Sequence, residues 1–129
     1  MERIVVKNSA IHGRGVFAAR RIEAGEVIFD WSECSDVLSD EAVAAVPPEE
    51  RIFVSVIDGQ NILFKPPARF VNHSCNPNAR GGDRHDVAVR VIKAGEEITV
   101  DYMAERVPGL RLECKCNAPN CRGLLIVPS

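Results

Sequence analysis

Apolar and polar residues alternate over short runs in this chain, and glycine, proline, asparagine or aspartate punctuates the runs. That pattern predicts half-buried strands joined by tight turns. Arg3–Lys7, Gly15–Ala19, Glu26–Trp31, Asp86–Ile92 and Glu97–Asp101 read as strands. Arg51–Ile57 and Asn61–Lys65 flank Asp58-Gly59, a dipeptide that suits the positive φ angles of a hairpin turn. One stretch breaks the alternation. Ser39-Asp40-Glu41 ahead of Ala42-Val43-Ala44-Ala45-Val46 predicts a short helix, capped by Ser39 and started by two acids that favour its N-terminal dipole. Pro47-Pro48 ends it. The expectation is a mainly β (α+β) fold of several short sheets with few short helices.

Ile22-Glu23-Ala24-Gly25-Glu26 echoes Ile92-Lys93-Ala94-Gly95-Glu96. Both read as corners between strands, with glycine supplying the backbone angle. Five residues are too short an echo for a repeat architecture.

With 129 residues the chain has enough length for one domain with its own core. Met1–Lys7 lacks the apolar stretch of a signal peptide, and no apolar run is long enough to span a bilayer. A soluble intracellular protein is expected, without membrane contact. The formal net charge of −2 argues against direct nucleic-acid binding. Its distribution is uneven: Glu23, Glu26, Asp30, Glu33, Asp36, Asp40, Glu41, Glu49, Glu50 and Asp58 share their stretch with a single base, Arg51. A solvated face is the plain reading. A surface for a basic peptide is the sharper one. A homodimer is compatible with the sequence, and nothing in it calls for one.

The candidate chemistry lies in four places. Cys114-x-Cys116-x4-Cys121 is a cluster that a reducing compartment favours for metal binding over disulfides. Cys75 would complete a tetrahedron, and four protein ligands make a structural zinc site, not a catalytic one. The fifth cysteine, Cys34, reads as a small buried apolar residue. Asn72-His73 just before Cys75 offers donors and acceptors for a small polar ligand, or equally a capped turn with a structural histidine. Gly13-Arg14-Gly15 precedes a strand but lacks the third glycine of a dinucleotide fingerprint, so by itself it reads as a turn. His12 and His85 sit in polar loops and receive no role. Tyr102, the single tyrosine, ends a strand; it is either a half-buried core edge or an oriented hydroxyl in a site.

Taken in order, these segments resemble the SET domain family of protein-lysine methyltransferases. His12-Gly13-Arg14-Gly15-Val16-Phe17 resembles the family's N-terminal motif, Arg69–Asn78 its central signature and Gly95–Tyr102 its terminal one. Cys114-Lys115-Cys116 with Cys121-Arg122-Gly123 resembles its zinc-binding post-SET tail. The resemblance implies a SET domain over residues 1–103 and a post-SET tail over 104–129 in one unit, with a knot-like crossing near Asn72-His73 and Asp101-Tyr102. It implies S-adenosylmethionine as methyl donor, held by Arg14, Gly15, Asn72, His73, Tyr102, Leu112 and Glu113, with Leu124 a further candidate. A lysine channel would have Phe53, Phe70 and Tyr102 in its wall, and Tyr102 would be the catalytic residue. Cys75, Cys114, Cys116 and Cys121 would hold the zinc. The implied substrate is a lysine in a basic segment of a protein, histone or histone-like, with a location in the cytoplasm, or in nucleus or nucleoid for a chromatin target. Many members carry several aromatic hydroxyls around the lysine, whereas here Tyr102 stands alone. The rival reading is therefore a catalytically weak or inactive module that binds a basic segment.

Overall fold

Strand β1 (Ile4–Asn8) pairs antiparallel with β2 (Arg14–Ala18), in register from Ile4 opposite Ala18 to Asn8 opposite Arg14. The computed structural model describes residues 2–105 and 111–126. β3 (Val27–Asp30) leads into a single turn of helix, α1 (Trp31–Cys34), which Asp30 caps by accepting from Ser32 N at 3.0 Å. β4 (Ser35–Leu38) and α2 (Asp40–Ala45) follow, with Ser39 Oγ accepting from Ala42 N at 3.1 Å. The expected helix is thus present with its expected cap at Ser39 and its two acids, Asp40 and Glu41, in the first turn.

β5 (Val54–Ile57) and β6 (Gln60–Phe64) form the expected hairpin, with φ of +52° at Asp58 and +76° at Gly59. Residues Pro48–Phe53 form a 3-10 turn, so the strand expected from Arg51 starts only at Val54 and Phe53 lies before it. Pro47-Pro48 explains the shift: proline at the first position suits a helical turn and removes a strand donor. β7 is only Asn72–His73; β8 (Ala79–Gly82), β9 (His85–Ala88) and β10 (Glu97–Val100) complete the body. A turn of helix, α3 (Tyr102–Glu105), and the pair β11 (Arg111–Glu113) and β12 (Leu124–Ile126) form the tail region.

The described residues form four small sheets, ordered β1-β2-β10-β7, β3-β9-β8, β4-β6-β5 and β11-β12. The mainly β fold is as the sequence predicts. Among the described residues sixteen buried ones form the main core, with Val16, Ile22, Trp31, Ile62, Ile92 and Ile98 each at most 1% exposed. Each such aliphatic side chain contributes about 1.5–3 kcal/mol of transfer free energy. Trp31 meets Phe64 edge-on, with ring centroids 5.5 Å apart. Cys34 is buried as expected: desolvation pushes its thiol up to about 11, and its Sγ donates to Asp30 O at 3.2 Å.

The echoed corners meet each other. Ile22 and Ile92 exchange both backbone hydrogen bonds, at 2.8 and 2.9 Å. Gly25 N donates to Ala88 O, and Gly95 N to Ala18 O. Ala88 N donates to Glu26 O, and Ala18 N to Glu96 O. Each corner glutamate also caps its own turn, Glu26 accepting from Glu23 N and Glu96 from Lys93 N, both at 3.2 Å. The glycines have φ of +84° and +88°, which non-glycine residues seldom adopt. A five-residue echo is therefore a paired corner with approximate two-fold symmetry.

Candidate active site and metal cluster

Asn72 and His73 are placed by a short parallel pairing, Thr99 opposite Asn72 and Val100 opposite His73. Two residues make a weak strand, and side chains complete it. Asn78 Oδ1 accepts from Thr99 N at 2.9 Å, while its Nδ2 donates to Glu97 O at 2.7 Å. The amide thus substitutes for a neighbouring strand alongside β10, which suits a side chain only 2% exposed.

Asn72 Nδ2 lies 3.0 Å from each of three acceptors: His12 O, Arg14 O and Glu97 Oε2. Ser9 Oγ reaches both oxygens of the same carboxylate, at 2.8 and 2.9 Å. The loop before β2 is thereby tied to the central signature. Glycine at 15 is required by this arrangement, because a Cβ there would fall 2.3 Å from Glu97 Oε2.

His73 joins two parts of the site. Its Nδ1 accepts from Tyr102 N at 3.0 Å, so the proton of the neutral ring belongs on Nε2. Nε2 lies 3.3 Å from Cys75 Sγ. Burial holds the His73 pKa below the ordinary histidine value, opposed by Asp101 and aided by Arg122. The Tyr102 hydroxyl donates to Val71 O at 2.5 Å, and its ring lies tilted against His73 at 5.4 Å. A phenol oxygen that donates in this way can also accept.

The sulfurs of Cys75, Cys114, Cys116 and Cys121 all lie within 4.8 Å of one another. Cys75 and Cys114 are 3.8 Å apart. A tetrahedral thiolate site with metal–sulfur bonds of about 2.3 Å places its sulfurs roughly 3.8 Å apart, so the group is able to hold a metal ion. Backbone N–H groups are aimed at two of these sulfurs: Arg122 N at Cys75 Sγ, 3.3 Å, and Cys75 N at Cys116 Sγ, 3.5 Å. The surroundings differentiate the thiols. Burial pushes Cys114 up to about 12; Cys116, against its own burial, is brought down to about 6 by the amides of Cys75 and Ala118. The tail is fastened beside them, with Asn120 Nδ2 donating to Cys75 O at 2.9 Å and Cys114 N to Gly123 O at 2.9 Å.

Between this cluster and the signature strands lies an open cleft, lined by Ile11, His12, Asn72, His73, Tyr102, Leu112, Glu113, Cys114 and Lys115. Leu125, fully buried, packs against Tyr102, Met103, Leu112 and Cys114 and seats the tail there. The cleft brings together five of the residues expected to hold the donor, Asn72, His73, Tyr102, Leu112 and Glu113, with Cys114 of the cysteine cluster. Arg14, Gly15, Phe53, Phe70 and Leu124 lie outside this lining. Arg14 contributes its carbonyl to Asn72 and stacks its guanidinium on Phe70 at 5.8 Å. Phe53 carries the Arg69 guanidinium at 4.4 Å. Leu124 is 45% exposed.

A family model, the SET domain, matches residues 13–103. The chain belongs to the SET domain family. It is 34% identical over 96% of its length to human histone-lysine N-methyltransferase 2B, of which it spans 5%. To the Saccharomyces cerevisiae histone-lysine N-methyltransferase specific for H3 lysine 4 it is 33% identical over 95% of its length, spanning 13% of that protein. The chain thus covers only a small part of these curated relatives. A solved Plasmodium falciparum structure, described as a candidate histone methyltransferase, shares the fold at a TM-score of 0.64 and 21% identity, covering 79% of this chain and 94% of that one.

Within this SET domain several site residues carry no sequence signal of their own. Ile11, His12 and Lys115 reach the cleft only because the loop before β2 and the tail converge there. Glu97 lies inside the terminal signature, but its tie to Asn72 spans 25 residues and Ser9 is 88 residues away. The acidic stretch is partly neutralised within the chain. Glu23 pairs with Arg21, Glu26 with Arg3 and Arg20, Asp36 with Lys65 and Glu50 with Arg69. No helix of the described residues is long and apolar enough to cross a membrane.

Proposed function

We propose that this chain is a protein-lysine N-methyltransferase that uses S-adenosylmethionine and acts on a lysine in a basic segment of a histone or histone-like protein. The observation that carries the reading is the convergence of Asn72, His73, Tyr102, Leu112 and Glu113 on one cleft that Cys114, a member of the four-cysteine cluster, also lines. The printed names of the relatives agree with it: histone-lysine N-methyltransferases, several specific for H3 lysine 4 and one for H3 lysine 36. These differing targets leave the lysine unassigned. A chromatin substrate entails a nuclear or nucleoid location.

When bound, S-adenosylmethionine supplies a methyl group activated on a sulfonium. Asn72, His73, Leu112 and Glu113 would hold it, with the loop at Arg14-Gly15 fixed behind Asn72. The lysine would reach Tyr102 past Phe70 and Phe53. A lysine amine needs a free lone pair, and an apolar entry lowers its pKa toward the neutral form. The Tyr102 oxygen, donating to Val71 O, can accept an amine N–H and orient that lone pair. Orientation of this kind supplies a large part of the barrier reduction in a transfer that needs little acid–base chemistry. Zinc fits the four thiols, and with every position filled by protein it would brace the tail and leave the chemistry to other groups.

The test supplies zinc-loaded protein with methyl-labelled S-adenosylmethionine and histone substrates. Label recovered on a substrate lysine is the expected result. Folded protein that binds the donor yet labels no substrate overturns the catalytic reading in favour of a binding module. Tyr102 as the only aromatic hydroxyl of the chain is the feature that would favour that module.

A further inference from the structure

Arg122 reaches from the tail into the strand end that carries Tyr102. Its Nη1 and Nη2 bind Asp101 Oδ1 and Oδ2 at 3.1 and 2.9 Å, a two-pronged pair with both carboxylate oxygens engaged. Paired parallel bonds of this type fix orientation as well as distance. Asp101 in turn holds the first turn of α3: its Oδ1 also accepts from Met103 N at 3.0 Å, and its carbonyl from Ala104 N at 3.1 Å. Tyr102 lies between those contacts. The opposite end of Arg122 is fastened to the metal cluster, since its backbone N–H points at Cys75 Sγ, 3.3 Å away, and it directly follows Cys121.

We propose that Arg122 is a positioning residue for Tyr102, transmitting the seating of the cysteine-rich tail to the tyrosine through Asp101. The proposal rests on the methyltransferase reading for its effect on turnover, and on geometry alone for its effect on Tyr102. Stability is the wrong place to look for it. Arg122 and Asp101 side chains are 41% and 21% exposed, and exposed ion pairs contribute little to folding. Two other links, His73 Nδ1 to Tyr102 N and the Tyr102 hydroxyl to Val71 O, anchor the residue from the side of the body. From the tail, Leu125 packs against the tyrosine, and the Arg122 clamp adds a directional polar link through Asp101. It makes the placement of the tyrosine depend on whether the tail is seated.

The chain contains one tyrosine, so ¹³C labelling at the tyrosine Cζ gives a signal that reports Tyr102 alone. The experiment compares wild type with Arg122→Met and Arg122→Lys, all loaded with cobalt in place of zinc. Cobalt–thiolate absorption reports whether the four-sulfur site is intact. The expected result is an unchanged cobalt spectrum, a shifted or broadened tyrosine signal in Arg122→Met, and partial return in Arg122→Lys, which keeps the charge but loses the fork. In turnover, Arg122→Met should lower kcat by about tenfold and leave KM for the donor within about twofold, since each 1.4 kcal/mol of lost transition-state stabilisation is a factor of ten. An unchanged tyrosine signal in Arg122→Met overturns the proposal. So does loss of the cobalt bands, which would make Arg122 a brace of the metal site only. Asp101→Asn, which removes the charge from the other side, must reproduce the tyrosine shift if Arg122→Met fails to fold. Wild type that turns over no substrate would sink the methyltransferase reading and leave the spectroscopic result to decide the clamp.

Discussion

Asn72 and Glu97 are joined side chain to side chain at 3.0 Å, on neighbouring strand ends that run parallel. Glu97 also receives Ser9, and Asn72 also reaches the carbonyls of His12 and Arg14. The pair therefore sets the shape of the loop that forms one wall of the cleft. Gly15→Ala would push a methyl group into Glu97 Oε2 and break this junction. The expected outcome is a protein that folds with a loss of about 1–3 kcal/mol, typical of overpacking, and a weakened affinity for S-adenosylmethionine of at least tenfold. Titration calorimetry beside urea unfolding measures both. Unchanged donor affinity would separate the loop from the cofactor.

Tyr102→Phe removes the hydroxyl that donates to Val71 O. A single neutral hydrogen bond of this kind contributes about 1 kcal/mol to stability, so the fold should persist. Turnover should fall by about a hundredfold or more with donor affinity within a few-fold, since in the proposed mechanism the hydroxyl orients the amine and the ring that faces the donor cleft is retained. Steady-state kinetics on a histone substrate, with donor binding measured separately, checks the split. A kcat within twofold of wild type would remove Tyr102 from the mechanism.

Removing the metal should abolish donor binding before it unfolds the body. Among the described residues the tail places one fully buried apolar side chain, Leu125, in a small cluster apart from the sixteen-residue core. Chelation, or Cys121→Ser, is expected to release the wall formed by Leu112, Glu113 and Lys115 while circular dichroism retains its β signature. Donor affinity that survives complete metal removal would uncouple the cysteines from the cleft.

Asp86 gives a pH dependence unrelated to the cleft. It is 6% exposed on β9, and burial pushes its carboxyl up to about 7, with Trp31 and His85 pulling it back by less. Trp31 Nε1 makes no hydrogen bond of ordinary geometry. A carboxyl whose folded pKa is raised favours folding most below its unfolded pKa, near 3.8, and this contribution is lost as pH rises toward 7. Stability should therefore fall across pH 5–7 at up to roughly 1.4 kcal/mol per pH unit. Asp86→Asn should remove that slope and raise the urea midpoint at pH 7.5. Parallel profiles for the two proteins would show that Asp86 does not titrate in this window.

What the sequence disclosed, and what it withheld, follows interaction range. The hairpin at Asp58-Gly59 and the helix after Ser39 are local events, driven by turn chemistry and capping within a few residues, and both are where the pattern predicts them. The strand at Asn72–His73 is only two residues long and exists through contacts with Thr99, Val100 and Asn78, so no period marks it. β11 and β12 form around Leu125 and the cysteines, and their residues show too little alternation to announce a sheet. The four-cysteine cluster was legible because cysteine spacing of this kind is chemically rare. Ser9, His12, Glu97 and Lys115 were not, since polar residues near a motif look alike until the fold brings them together.

The paired corners at Ile22 and Ile92 carry a consequence for how the chain is made. Seventy residues separate partners that exchange backbone hydrogen bonds with each other, so neither corner can close its ladder alone. During synthesis the first corner must wait, with its N–H groups bonded to water, until the second has been made. Amide exchange at Ile22, Gly25, Ile92 and Gly95 should slow together, as one cooperative unit. The two halves of the domain would then be protected in a single step that also aligns β2 with β10, the strand beside which Asn72 and His73 lie.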